Sequence, residues 1–296
     1  MSAVTGYRAL ALMTAPARQK SELWRTVLGL GMIIAIYIGA GWMLLTILAQ
    51  SVPPLRLVGL LNEIASGSTP RGVVILLASF APLLLGVVFV TRWLHGRPAG
   101  VLFGPNVLRD FRAVLPWVLV ISLLCAALAL VDDDVGRSTR LATSLPWMVL
   151  AIPLLAVQIG AEEVLFRGYL LQQLGARSRS PLAWMVLPSA LFGVLHYDPS
   201  SFGPNALWLA IWAFVFGCLA ADLTARTGNI GAALALHLVN NFTSMFFVGF
   251  YGNLDGLALY TIVINARDFA TLAPWLAIDA LTIFIGWLMI RLILRV

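Results

Sequence analysis

Residues 146–173, "PWMVLAIPLLAVQIGAEEVLFRGYLLQQ", form an apolar run that nevertheless holds Glu162, Glu163 and Arg167. A helix needs about 20 predominantly apolar residues to cross the hydrocarbon core of a bilayer, so the run is long enough to span one. The alternative is a buried helix of a soluble domain. Composition decides between them: 60% of the 296 residues are hydrophobic and 11% are charged. The mean hydropathy is +0.93, far from the range of soluble globular chains. The stretch is therefore read as a membrane span that keeps three ionisable groups.

Working outward from it, apolar runs of similar kind lie near 27–49, 72–94, 113–131, 182–197, 205–223, 229–250 and 273–294. With 146–173 they predict an all-α polytopic membrane protein of about eight transmembrane helices. The run at 182–197 is short and ends at "HYDPSS", so six or seven spans also fit. The first run follows a basic leader and is too long for the core of a signal peptide. It is expected to remain as an anchor.

Short loops rich in Lys and Arg stay cytoplasmic. Thirteen of the 19 Lys and Arg fall in the N-terminal leader, the alternate loops around 92–112, 177–179 and 226, and the C-terminal end. The opposite loops hold Arg56, Arg71, Arg137, Arg140 and Arg267, and also Asp132, Asp133 and Asp134. Both termini are accordingly expected inside. The net charge of +6 is explained by this topology, and no nucleic-acid partner is expected. Cys125 and Cys218 lie in apolar runs, where thiols pack as small hydrophobes.

No internal repeat marks the chain, yet its halves differ. Residues 1–145 carry spans of almost purely aliphatic residues and Gly, whereas residues 146–296 hold the ionisable groups that stand inside spans. The second part is expected to be the catalytic core.

A charged side chain at mid-membrane costs at least about 2.5–3.5 kcal/mol on insertion scales and usually faces a bundle interior or cavity. Counting a rise of about 1.5 Å per residue from the inner face, Glu162 lies roughly 16 Å deep, His196 roughly 21 Å, His237 roughly 12 Å and Asn241 roughly 18 Å. Three helices thus bring polar groups to similar depth. Glu163 and Arg167 are i, i+4 and can pair, while Glu162, turned by about 100°, has no such partner on its own helix. His237 and Asn241 are also i, i+4, and Phe192 stands one turn before His196.

This set can hydrolyse an amide bond. A buried carboxylate, Glu162, would act as general base on a water that His196 helps to hold. His237 and Asn241 would donate to the oxyanion. Taken singly, each residue also has a structural reading, such as a Glu and Arg stapling helices. The combination on three helices favours a site.

The elements "EEVLFR" (162–167), "FGVLH" (192–196) and "HLVNN" (237–241) resemble, in order, the EExxxR, FxxxH and HxxxN signature of the CPBP family of intramembrane proteases. That family takes in CAAX prenyl endopeptidases and the Abi or bacteriocin-processing proteins. The likeness covers about 150–245. It implies Glu162 as the water-activating base, His196 as its partner, His237 and Asn241 as the oxyanion site, and Glu163, Arg167 and Phe192 in support. It favours no cofactor, while leaving open a zinc ion held by Glu162, His196 and His237. The expected substrate is a membrane-associated or prenylated protein or peptide, and the expected location is the bacterial inner membrane.

Two other functions compete. An ion-coupled transporter would show paired repeats with broken helices in both halves, and these halves differ in polarity. A catalytically idle binding or immunity protein would be expected to have lost a motif residue, and none is lost. Among the remaining polar residues, Asp279 is expected near the outer interface, Asp132 to Asp134 in a solvated loop, His95 exposed, and Asp222 in reach of water at the inner face.

Overall fold

The computed structural model describes residues 5–296. The chain opens with a 3-10 turn (Thr5–Tyr7), α1 (Leu10–Thr14) and a second 3-10 stretch (Ala15–Lys20). It then enters α2 (Leu23–Ser51), the short α3 (Pro54–Ser66), and the pair α4 (Pro70–Ala78) and α5 (Ala81–Trp93). After α6 (Val107–Ala129) and strand β1 (Val135–Arg137) comes α7 (Leu141–Glu163), which continues through a π-helical turn (Val164–Leu170) into α8 (Leu171–Arg177). Another π turn (Leu182–Val186) leads into α9 (Leu187–Leu195). The chain then forms α10 (Pro199–Phe202), α11 (Ala206–Thr227) and α12 (Gly231–Phe242), with a third π turn (Thr243–Phe247). Strands β2 (Val248–Phe250) and β3 (Tyr260–Ile262) precede α13 (Phe269–Leu294).

Six of these helical stretches are long and apolar enough to cross a membrane: Leu23–Ser51, Pro70–Trp93, Val107–Ala129, Leu141–Arg177, Pro199–Thr227 and Phe269–Leu294. The protein is an all-α multi-pass membrane protein. Two of the eight apolar runs make shorter helices. Leu182–Leu195 ends just before His196, and the run from 231 stops at Phe247, where the backbone turns extended as β2. The small sheet has the order β1-β3-β2, antiparallel between β1 and β3 and parallel between β2 and β3.

Large apolar side chains remain uncovered along the spans, among them Leu128, Val149, Leu150 and Leu288. In water such a surface would be an association liability, whereas lipid is its natural solvent. The interior is a continuous cluster built around α5, α6, the π turn after α7, α11 and α12. Close approach at one point requires glycine, because a Cβ on Gly29 of α2 would overlap the Tyr169 hydroxyl.

The α4–α5 span is broken at Ser79–Phe80. Pro82 has no N–H, so it cannot donate to the Ala78 carbonyl as the helix would require. Freed backbone groups at membrane depth persist only where protein buries them or a cavity is lined.

Several polar residues differ from their expected placement. His95 is buried at 2% exposure, with Nδ1 donating to the Lys20 carbonyl at 3.0 Å and Nε2 meeting the Tyr169 hydroxyl at 2.9 Å. Burial holds its imidazole below the usual range. The ordered N-terminal segment covers it, which local polarity around "HGRP" does not reveal. Asp222 is also buried, accepting from the Tyr7 hydroxyl (2.7 Å), Arg226 (2.8 Å) and the Trp287 indole (3.0 Å). Asp279 lies at mid-helix, because α13 begins at Phe269 and adds a turn before the apolar run. Asp132, Asp133 and Asp134 are exposed.

Candidate active site

Glu162 and Glu163 close α7, and the π turn that follows places Arg167. An added residue per turn marks many functional sites, and here a π turn adjoins each of the three motif-bearing helices. Glu163 is fully buried. Its Oε1 accepts from Arg167 Nη1 at 2.9 Å and from His237 Nδ1 at 2.8 Å. A carboxylate only accepts, so Nδ1 of His237 carries the proton. That leaves Nε2 to face Glu162 Oε2, 3.6 Å away.

Glu162 is placed differently. Its Oε2 is buried, with no hydrogen-bond partner among the described residues. The adjacent carboxylates are therefore divided by their surroundings: Glu163 is bonded through Oε1 to both Arg167 and His237, although its Oε2, like that of Glu162, has no partner among the described residues, and Glu162 is left beside an imidazole with no bond of its own there.

Phe192 joins the three motifs. Its ring packs on Phe166 (5.2 Å between centroids), His196 (4.3 Å) and His237 (6.1 Å), and the Arg167 guanidinium lies 4.8 Å over it. Such a contact adds cation–π attraction to the Arg167 ion pair. His196 caps α9, half-buried, and its Nδ1 donates to the Phe192 carbonyl at 2.8 Å. The carbonyl fixes this tautomer, leaving His196 Nε2 as an acceptor.

On α12, Asn241 stands one turn after His237. Its Nδ2 donates to the Gln158 Oε1 at 3.2 Å. Gln158 is buried one turn before Glu162. It was not singled out from the sequence, although an amide at i−4 of a membrane glutamate is a readable signal. Phe216 of α11 was also missed. Its ring packs edge-on to His237 at 4.9 Å, and nothing in an apolar helix distinguishes it from its neighbours.

The zinc alternative requires Glu162, His196 and His237 to converge. Among the described residues, no three His, Cys, Asp or Glu side chains gather as a metal-ligand set. No step below uses that ion.

These features define an integral multi-pass membrane protein with a buried site of paired carboxylates, imidazoles and amides. A family model described as "Type II CAAX prenyl endopeptidase Rce1-like" matches residues 142–243, which hold every motif residue above. The Bacillus subtilis protein YyaK, itself uncharacterized, is 30% identical over 211 residues, covering 64% of this chain and 70% of that protein. No solved structure matches the chain. The chain belongs to the Rce1-like family of CAAX-type intramembrane proteases.

Proposed function

We propose that the protein is an intramembrane endopeptidase that hydrolyses a peptide bond in a membrane-associated or prenylated protein or peptide, using a water activated by Glu162. The observation that carries this reading is the division of the two glutamates. Glu163 is neutralised by Arg167 and held by His237, while Glu162 has no such partner and faces His237 Nε2.

In the reaction, Glu162 accepts a proton from water as the water oxygen bonds to the scissile carbonyl carbon. His196 Nε2 holds that water through its remaining acceptor. The carbonyl π electrons move onto oxygen, and the resulting oxyanion is met by Asn241 Nδ2, and by His237 Nε2 when that ring carries both protons. The C–N bond then breaks as Glu162 returns its proton to the leaving nitrogen, giving a carboxyl and an amine product. Gln158 aims the Asn241 amide, and Arg167 keeps Glu163 from competing for the proton. The bacterial inner membrane is the proposed location.

The reading is tested by comparing protein N-termini in membranes of cells that carry wild type with those that carry Glu162→Gln at matched abundance. Termini present only with wild type are expected, and they identify the substrate. Identical sets under several growth conditions would favour a protein that binds without cleaving.

A further inference from the structure

The three motifs lie on α7, α9 and α12, yet a fourth helix, α11, also reaches the site. It carries Trp208, Trp212 and Phe216 at successive i, i+4 positions, a spacing that sets side chains one above another on a single face. The Trp212 and Phe216 rings stack, with centroids 5.9 Å apart and planes 16° from parallel. Phe216 is buried at 2% exposure. Its far side meets the His237 imidazole at 4.9 Å and 62°.

That contact closes a triangle. Phe192 lies 6.1 Å from Phe216 and 6.1 Å from His237, so the two phenyls form a corner in which the imidazole rests. Behind the corner, α11 and α13 part to leave a groove of about 300 Å³, lined in part by Trp212, Phe216, Ala277 and Ala280. Trp212 is thus the ring that backs Phe216 on the groove side.

The imidazole needs such a support. Its bond to Glu163 holds Nδ1 at 2.8 Å, but Nε2, the atom that faces Glu162 at 3.6 Å, has no bond of its own that short. The χ2 torsion of histidine has a broad energy profile. Packing against the ring therefore decides where Nε2 points.

We propose that Phe216, backed by Trp212, is a positioning residue of the hydrolytic site that sets the tilt of the His237 imidazole and so aims Nε2 at Glu162 and the oxyanion. The proposal rests on the role given to His237 above, and it adds to the site a helix on which no motif residue lies. A phenyl ring exchanges no proton, so its contribution is orientation. Such a contribution appears in kcat rather than KM.

The test uses the full chain in lipid nanodiscs, as wild type, Phe216→Leu, Trp212→Leu and the control Leu223→Ala. Leu223 is fully buried on the same helix, seven residues or roughly 10 Å beyond Phe216, so its truncation loosens the core away from His237. The chain has three histidines, His95, His196 and His237. Labelled histidine therefore gives three ring signals in solid-state NMR spectra; His95→Gln and His196→Gln each remove one, and the third is His237. Dipolar couplings of the ring C–H bonds report its motion and are not altered by a neighbour's ring current. The His237 ring is expected to be rigid in wild type and in Leu223→Ala, and its squared order parameter to fall below about 0.6 in Phe216→Leu. On a farnesylated CAAX reporter peptide, kcat is expected to fall about 10- to 100-fold in Phe216→Leu with KM held, and about two- to tenfold in Trp212→Leu. A rigid His237 ring in folded Phe216→Leu overturns the proposal whatever the reporter does, and so does an equal loosening in Leu223→Ala. A ring loosened in Phe216→Leu alone, in a chain whose wild type leaves the reporter uncut, supports the role of Phe216 and counts instead against this substrate class.

Discussion

The first and fourth spans have similar apolar composition but opposite surroundings. In Leu23–Ser51, 6% of the most apolar window is buried inside the protein, against 50% in Leu141–Arg177. The first is a lipid-facing helix that touches the bundle along one stripe. The fourth is half enclosed, and its enclosed face carries Gln158, Glu163 and Arg167. Hydropathy alone cannot separate the two, because lipid and protein interior are equally apolar. What separates them is charge, which is tolerated at this depth only where other side chains complete it.

If that contrast is right, the largest effect should come from breaking the enclosed pair. Arg167→Met leaves the Glu163 carboxylate buried without its cation. We expect a loss of about 3–5 kcal/mol in stability, read as a marked fall in the thermal midpoint of the purified protein, together with loss of cleavage. Next, Asn241→Ala should lower kcat about 100- to 1000-fold by removing an oxyanion donor, while the thermal midpoint changes little. A smaller effect is expected at Tyr7. Burial and the Asp222 carboxylate push the Tyr7 hydroxyl up to about 12, so it remains a donor at neutral pH. Tyr7→Phe should cost about 1 kcal/mol of stability and leave cleavage intact. The smallest effect belongs to the lipid-facing surface, where Ile38→Ala on α2 should change stability by less than about 0.5 kcal/mol in the same melts.

Much of the site could be read from the sequence because its parts are local. The i, i+4 spacing of Glu163 and Arg167 predicts a pair that the structure forms at 2.9 Å, and His237 and Asn241 do share one side of α12, each meeting a residue of α7. What could not be read depends on contacts between distant segments. His237 bonds Glu163 as well as approaching Glu162, a contact across 74 residues that spacing cannot supply. The burial of His95 and Asp222 depends on an N-terminal segment folded over the neighbouring ends of the helices. The helix count differs because two apolar runs end at functional positions, one just before His196 and one at the strand after Asn241.

The central claim is that neighbouring carboxylates divide the work, Glu162 acting on water and Glu163 holding the frame. The direct measurement is cleavage and thermal unfolding of purified Glu162→Gln and Glu163→Gln side by side, on a substrate identified from the membrane termini. The account predicts that Glu162→Gln abolishes cleavage with unfolding unchanged, and that Glu163→Gln lowers the unfolding temperature. Retained cleavage in folded Glu162→Gln would contradict it.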